Sequence, residues 1–330
     1  MATYKEIHGV KVQYRDSDAT AIEGDVWYNA STGKLRMYAS LGSWASGADS
    51  PAPSSLEFAA AFGTATAGVW VGGYVDDASY SDATLEYDGS SWTEGNDLPG
   101  TFAAGASGTG IGTLTAGLLC GWYHSTAPHG YLDDTLEYDG TNWTAGGDLP
   151  IGAGDGNSSG TQTAGLYITG TSGFPTTRTA QSCEYDGSSW TAGEDVNTIR
   201  MRGMGNSVGT QTAGMLVSGS APGAVAANVE HYDGTNWSEG ADVNTARANG
   251  GANGISTAAI AYGGGTPSAT GATESYDGSS WTEVADLSTA RAGNRGAGGG
   301  VNTSALTTGG NVNTTEVWSF SASAQTVAFD

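Results

Sequence analysis

The stretch from Thr84 to Pro99 reads TLEYDGSSWTEGNDLP, and the chain returns to it four more times. Tyr138-Asp139-Gly140 leads to Trp143, Tyr185-Asp186-Gly187 to Trp190, Tyr232-Asp233-Gly234 to Trp237, and Tyr276-Asp277-Gly278 to Trp281. Each copy reads as a strand, a tight Asp-Gly turn and a second strand opening on Trp. Asp and Gly tolerate the positive φ of a short hairpin turn. Successive Trp residues from Trp92 lie 44 to 51 apart, the range in which a fixed period means a solenoid, a propeller or an array. One Trp per unit predicts a structural residue packed between neighbouring units. Tyr87, Tyr138, Tyr185, Tyr232 and Tyr276 belong to the same repeated set.

A second phrase precedes each copy: GTATAGVWVGG from Gly63, GTLTAGLLCGW from Gly112, GTQTAGLYITG from Gly160 and GTQTAGMLVSG from Gly209. Weaker copies start at Gly254 (GISTAAIAYGG) and Gly300 (GVNTSALTTGG). Short apolar runs bounded by turn residues read as buried strands. The Gly-rich pieces before them carry little bulk, as strands crowded around a central axis require. The unit is therefore four strands: a (Gly-rich, inner), b (ending near Gly-Gly), c (ending Tyr-Asp-Gly) and d (opening on Trp).

The order di-glycine, Tyr, Trp, Leu and often Arg resembles the kelch repeat. Gly72-Gly73, Tyr87, Trp92 and Leu98 carry it in the first unit, and Gly263-Gly264, Tyr276, Trp281, Leu287 and Arg291 in the fifth. The likeness runs over residues 44–320. It departs at Gly121-Trp122, Thr169-Gly170 and Ser218-Gly219, where the di-glycine is broken, and the Arg stands only as Arg200, Arg247 and Arg291. The resemblance implies an all-β fold, a kelch-like β-propeller with four-stranded antiparallel blades. Trp44 lies one period before Trp92, in LGSWASGADSP, which aligns with DGSSWTEGNDLP. Six d strands then match six b strands, so six blades are expected. The N-terminal d strand would close the ring against a c-like strand at Thr314 to Phe320. A rival arrangement draws both c and d from the N-terminus, through Leu35 to Tyr38. The tail around QTVAF is expected to add an edge strand.

GDVWYNASTGKLRMY, from Gly24 to Tyr38, places two aromatic strands around a Ser-Thr-Gly turn and reads as a hairpin. It is similar to an element of bacteriophage tail and fibre proteins. The phrases GTQTAG and YDGSSWT resemble propellers encoded by marine phages. These likenesses imply residues 1–40 as an attachment segment that contacts other virion proteins, and 41–330 as the propeller. They imply a virion component assembled in the host cytoplasm, with a homo-oligomer on the particle as one expected form.

Gly is 54 of 330 residues without a G-X-Y period, which excludes collagen. Ten Trp and 15 Tyr are too many for a disordered chain. A net charge of −23 repels nucleic acid and anionic membrane. No stretch reaches the apolar length of a membrane-spanning helix, and MATYKEIHGVKVQYRDSD has no apolar centre, so neither membrane insertion nor a signal peptide is expected. Cys120 and Cys183 fall at non-equivalent positions of different units and are expected free and buried.

No catalytic constellation stands out. Tyr28 occupies the place where a P-loop ending at Lys34 needs Gly. The Asp-Gly-x-x-Trp phrase is not the sialidase Asp-box, in which one residue separates Asp from Gly. Of the four His, only His124 and His129 share a loop, and solvent exposure is the simpler reading of that pair. No cofactor is expected. Asp76-Asp77 and Asp133-Asp134 offer oxygen ligands for calcium, the weaker alternative, but without EF-hand spacing.

The copies differ most in the b–c loops: YVDDASYSDA from Tyr74, YHSTAPHGYLDD from Tyr123, TSGFPTTRTAQ from Thr171 and SAPGAVAAN from Ser220. Loops on a rigid scaffold carry binding. Tyr74, Asp76, Asp77, Trp122, Tyr123, His124, His129, Tyr131, Phe174 and Arg178 are the candidate contacts, against the alternative of unconstrained drift. The expected function is a non-enzymatic virion propeller binding host surface glycan, a receptor or another virion protein. The alternatives are a glycan-degrading propeller enzyme and a kelch-type adaptor.

Overall fold

The repeated phrases fold as antiparallel sheets in the computed structural model, which is described for residues 13–17, 25–51, 57–76, 79–100, 105–124, 130–172, 177–205, 208–265, 267–297, 300–310 and 312–326. The first sheet orders Ala60–Thr64, Ala67–Val71, Thr84–Tyr87 and Trp92–Glu94 as strands a to d. The second orders Thr109–Thr113, Ala116–His124, Gly130–Tyr138 and Trp143–Ala145, with Gly105–Ala106 also paired to its b strand. The third runs Asn157–Thr161, Ala164–Ser172, Thr177–Tyr185, Trp190–Ala192. The fourth runs Gly209–Thr210, Ala213–Ala221, Ala224–Tyr232, Trp237–Glu239. The fifth runs Gly251–Ile255, Ala258–Tyr262, Thr273–Tyr276, Trp281–Glu283. A small hairpin, Tyr74–Asp76 with Ser79–Tyr80, forms a two-stranded sheet of its own. No α-helix occurs among the described residues.

Contacts divide the chain into two units, Trp44–Trp318 and Met1–Ser43 with Ser319–Asp330. Within the larger unit a further sheet joins the two ends of the chain. Its a and b strands are Arg295–Ala297 and Ser304–Thr308, and in this unit its c strand is residues 316–318, the start of Glu316–Thr326, and its d strand residues 44–46, the end of Lys34–Ser46. Gly47 N–H donates to Thr315 O and Ser50 N–H to Asn313 O, both at 2.9 Å. The C-terminal c strand is thus kept, and the N-terminus adds d alone. Its strand is longer than the sequence suggests, because it runs on to Thr326. In the smaller unit Val26–Asn29 pairs antiparallel with residues 34–37 across a turn at 30–33, and Gln13–Arg15 pairs parallel with Val26–Asn29. That parallel strand has no signal in the sequence.

Each inner strand of the larger unit neighbours the next, from Ala60–Thr64 through Thr109–Thr113, Asn157–Thr161, Gly209–Thr210 and Gly251–Ile255 to Arg295–Ala297, which returns to the first. One apolar cluster fills the space between each pair of neighbouring sheets. Phe62 and Val71 meet Leu119, Trp122 and Trp143 between the first two sheets. Trp70 and Leu85 meet Ala297 and Leu306 where the closing sheet meets the first. Cys120 and Cys183 are free and buried in one cluster. Close approach explains the glycine of the GTxTAG phrase: at Gly160, φ +100°, a Cβ would stand 2.1 Å from Ala164 O.

The repeated aromatics bridge sheets. Trp143 and Trp190 donate Nε1–H to Thr84 and Thr135 Oγ1 of the preceding sheet, both at 2.9 Å. Trp92, Trp237 and Trp281 donate to Ala48, Glu194 and Ala241 carbonyls at 2.9 to 3.1 Å, and Trp44 to Thr273 Oγ1 at 3.1 Å. Each of Tyr87, Tyr138, Tyr185, Tyr232 and Tyr276 packs on the Trp of its own sheet, with centroids 4.6 to 5.0 Å apart. Tyr185 and Tyr232 also donate their hydroxyls to Glu137 and Glu184 of the preceding sheet, at 2.6 and 2.8 Å, and Tyr138 donates to Glu86.

Candidate functional site

Where each chain segment enters its inner strand, six residues form a closed hoop of backbone hydrogen bonds. Phe58 N–H donates to Gly293 O, Ser107 to Phe58, Asp155 to Ser107, Arg202 to Asp155, Asn249 to Arg202, and Gly293 to Asn249, all at 2.7 to 2.9 Å. All six have positive φ, from 54° at Arg202 to 77° at Gly293. A left-handed backbone turns each N–H and C=O sideways toward its neighbours, so the hoop is built from peptide groups alone. Side chains at these positions are free to differ, and they do: Phe, Ser, Asp, Arg, Asn and Gly. No common residue type marks the hoop in the sequence. The available signal is position, five residues before the glycine of the GT-type phrase in four copies and seven in the other two.

The hoop lies on the side of the b–c connections. Residues next to hoop members bridge to the far ends of three b strands, Ala106 to Tyr123, Gly154 to Thr171 and Met201 to Ser220, and to residues three beyond the end of two others, Glu57 to Tyr74 and Ala248 to Gly265. On the first two sheets this brings aromatics together. Phe58 meets Tyr74 edge-on at 6.0 Å, Tyr74 lies 4.7 Å from Tyr80, and Tyr123 lies 5.4 Å from Tyr131. Tyr131 packs so closely on Gly154 that a Cβ there would stand 2.6 Å from its ring. Arg202 sits three hoop positions from Phe58, and its guanidinium lies over the Phe58 ring at 5.0 Å. Its Nε stands 3.1 Å from Asp155 Oδ1, with the Asp155 side chain 1% exposed.

This environment moves the titrations. Burial pushes the Tyr74 hydroxyl up, and the Tyr80 hydroxyl adds to it. Burial also raises Tyr131. For Arg202 burial works against the charge, but the Asp155 carboxylate outweighs it, and the guanidinium stays protonated. Asp134 is raised by burial and by repulsion from Asp148 and Asp133.

The other expected contacts scatter. Trp122 is 3% exposed and belongs to the apolar cluster between the first two sheets, so it presents no surface to a ligand. Its place beside the broken di-glycine reads as loop, but the second b strand runs on through it to His124. His124 pairs in register with Gly130 and is half-buried. Arg178 spans to the fourth sheet, donating Nε–H to Ser220 O at 3.1 Å and from Nη2 to Ser220 Oγ at 3.2 Å. Asp76 ends a strand of the small hairpin. Asp77, His129 and Phe174 lie outside the described residues. The structure therefore brings together Tyr74, Tyr123 and Tyr131, and adds Phe58, Asp155 and Arg202, which the sequence reading missed. At the opposite end of the inner strands, Thr64, Thr113, Thr161 and Thr210 with Gly112, Gly160, Gly209 and Gly300 line a cavity of about 230 Å³.

No family model matches the chain, and no curated protein matches it by sequence. Among solved structures, that of YjhT is similar, with a TM-score of 0.66 at 14% identity over 84% of this chain and 99% of that one. At that identity the likeness shows the fold alone. The unit Trp44–Trp318 is a β-propeller.

Proposed function

We propose that the chain is a non-enzymatic, kelch-like propeller of six blades whose b–c face binds a surface glycan or receptor. The six-membered hoop, the closed succession of inner strands and the six apolar clusters support the blade count. The two-stranded hairpin at Tyr74 is then an excursion of the first blade, and the N-terminal d strand closes the ring. The observation that carries the binding reading is the meeting of Phe58, Tyr74, Tyr80, Tyr123 and Tyr131 around the Asp155–Arg202 pair, on the face where the repeats diverge. Half-buried aromatics with polar tips are the side chains that binding surfaces use.

The setting we propose follows the sequence resemblance: a phage virion, with residues 1–40 attaching the propeller to other virion proteins and 41–330 facing the host. A glycan array run beside a reducing-sugar release assay tests the functional class. Binding without release supports the reading. Release that disappears on a single Asp or Glu substitution replaces it with a hydrolase. Mass spectrometry of purified virions tests the setting, and absence of the chain from the particles would overturn it.

A further inference from the structure

Four of the eight large apolar side chains that stand exposed, Tyr14, Met37, Leu41 and Phe320, belong to the smaller unit, which is one sixth of the chain. The other four, Ile151, Ile199, Ile255 and Val301, come singly from separate segments of the propeller. Single exposed apolar residues are ordinary, but a group of them marks a surface that another molecule covers. Strand register shows how the group is built. Tyr14 stands beside Tyr28, Tyr28 opposite Leu35, and Val26 opposite Met37. The Tyr14 and Tyr28 rings lie 5.2 Å apart. Alternate residues of a strand share a face, so Leu41, four beyond Met37 in Lys34–Ser46, joins the same side. Tyr14 is 67% exposed and Leu41 49%, while Val26, Tyr28 and Leu35 are half-buried. The charged residues of these strands, Arg15, Lys34 and Arg36, alternate onto the other face. There Trp27 is fully buried, and the Arg15 guanidinium lies over its ring at 5.2 Å. One side of the sheet is therefore covered, and the other is an open apolar face to which these strands bring no charge.

Charge selects the occupant. Met1–Ser43 holds five basic and five acidic residues. Trp44–Trp318 holds six basic and 28 acidic, so it carries −22 of the chain's −23. The propellers of two copies repel each other, and copies meet most readily through the segment whose charge is balanced. An uncharged apolar face asks for no complementary charge and matches its own copy about a two-fold axis. A basic partner would be steered to the acidic propeller instead.

We propose that the face of Tyr14, Val26, Tyr28, Leu35, Met37 and Leu41 is a dimer interface, on which a second copy of this chain packs sheet to sheet. The proposal narrows the attachment reading of residues 1–40, because this part of the segment then joins like chains. Strand spacing gives the face a footprint of about 20 by 14 Å. That is small beside the ~800 Å² per partner of a standard interface, so a dissociation constant on the order of tens of micromolar is expected. Sedimentation equilibrium of the full chain, from about 2 to 200 µM, tests it. The expected result is a monomer–dimer equilibrium that strengthens as salt rises, because screening relieves the repulsion between propellers. Met37→Lys and Leu41→Lys each set like charges against one another across the two-fold axis and should weaken the dimer at least about tenfold. Both side chains stand at the surface, so both variants should melt as wild type does. Ile151→Lys, the same kind of change on the propeller, should leave the dimer unaltered. If a face variant melts lower, Tyr14→Ser takes its place under the same criterion. A monomer at every concentration, an assembly of another size, a dimer that salt dissociates, a dimer that the face variants leave intact, or equal loss in Ile151→Lys would overturn the proposal. None of these outcomes bears on whether the chain is found in purified virions, so the attachment reading stands or falls separately.

Discussion

Trp190 shows what one repeated residue contributes. Its ring is 7% exposed, lies 4.9 Å from Tyr185, and its Nε1–H reaches across to Thr135 Oγ1 in the preceding sheet. Truncation leaves a cavity and an unpaired hydroxyl, so Trp190→Ala is expected to lower stability by about 3–5 kcal/mol in denaturant unfolding. Retention of the wild-type midpoint would remove the bridging role. The Asp of each c–d turn acts differently. Asp88 Oδ1 accepts from Ser90 N and Ser91 N at 2.8 and 2.7 Å, and Asp277 accepts from Ser279 N and Ser280 N, both at 2.8 Å. These bonds hold Asp88 and Asp277 down to about 2 from the ordinary 3.8, and they lower Asp139, Asp186 and Asp233 in the same direction. A folded pKa below the unfolded one gives stability that is present above 3.8 and lost as pH falls toward 2. The melting temperature should drop across that window, and drop less steeply when the five Asp are changed to Asn. Equal slopes for the two proteins would refute the assignment. Both residue types were legible in the sequence because each recurs once per unit with its identity kept. The hoop was not, since peptide groups build it and Phe58, Asp155 and Arg202 share nothing that a comparison of copies can see.

Neighbouring sheets are joined in two ways, and the repeats divide between them. At three junctions a buried Arg meets a buried Glu on the next c strand: Arg200 with Glu230 at 2.7 Å, Arg247 with Glu274 at 2.7 Å, and Arg291 with Glu316 at 2.8 Å. Each Glu also accepts backbone N–H groups from the turn after the d strand, as Glu274 does from Asn244 at 2.7 Å and Thr245 at 3.3 Å. At the other three, the turn carries Pro51, Pro99 or Pro150 at the first of these two donor positions, and the Glu position holds Leu85, Leu136 or Cys183. Proline has no N–H to donate, so a carboxylate there would lose one of its backbone donors as well as its Arg. The sequence exposes the Arg as a feature of some repeats, but its partner is masked because Glu also occupies the next position along c in other copies, as Glu86, Glu137 and Glu184. Burial lowers the Arg247 pKa even with Glu274 beside it, which marks how fully the pair is removed from water. Glu274→Leu alone should therefore cost about 3–5 kcal/mol, because it strands a buried guanidinium. Adding Asn244→Pro and Arg247→Ala converts the junction to the other kind and should recover most of that loss in equilibrium unfolding. A triple variant as unstable as the single one would show that the two junctions are not interchangeable.

At the scale of the whole propeller, the sequence discloses closure through a count, since Trp44 lies one period before Trp92 and no Asp-Gly hairpin follows Gly300. What it could not disclose was how much rests on residues 44–51. Trp44 packs against Tyr262 at 4.8 Å and Trp318 at 5.4 Å, and donates to Thr273 in the fifth sheet. Three residues on, Gly47 joins the backbone of Thr315, and its Cα lies so near Tyr87 that a Cβ would stand 3.0 Å from the hydroxyl. Ala48 O then receives Nε1–H of Trp92 in the first sheet. One short segment thus touches the fifth, closing and first sheets. Its loss would bare the edge of the c strand at residues 316–318, uncover Tyr262, and leave Trp92 Nε1 with Thr315 Oγ1 as its remaining partner, at 3.2 Å. A chain lacking residues 1–50 is expected to melt well below wild type and to aggregate through the bared edge, whereas one lacking 1–20 should melt as wild type does. A peptide of residues 41–51 supplied in trans should raise the melting temperature of the first truncation and suppress its aggregation, because it restores the same strand without the covalent link. If the 1–50 truncation melts like the full chain, the ring is held by its apolar clusters alone and the terminal strand is dispensable.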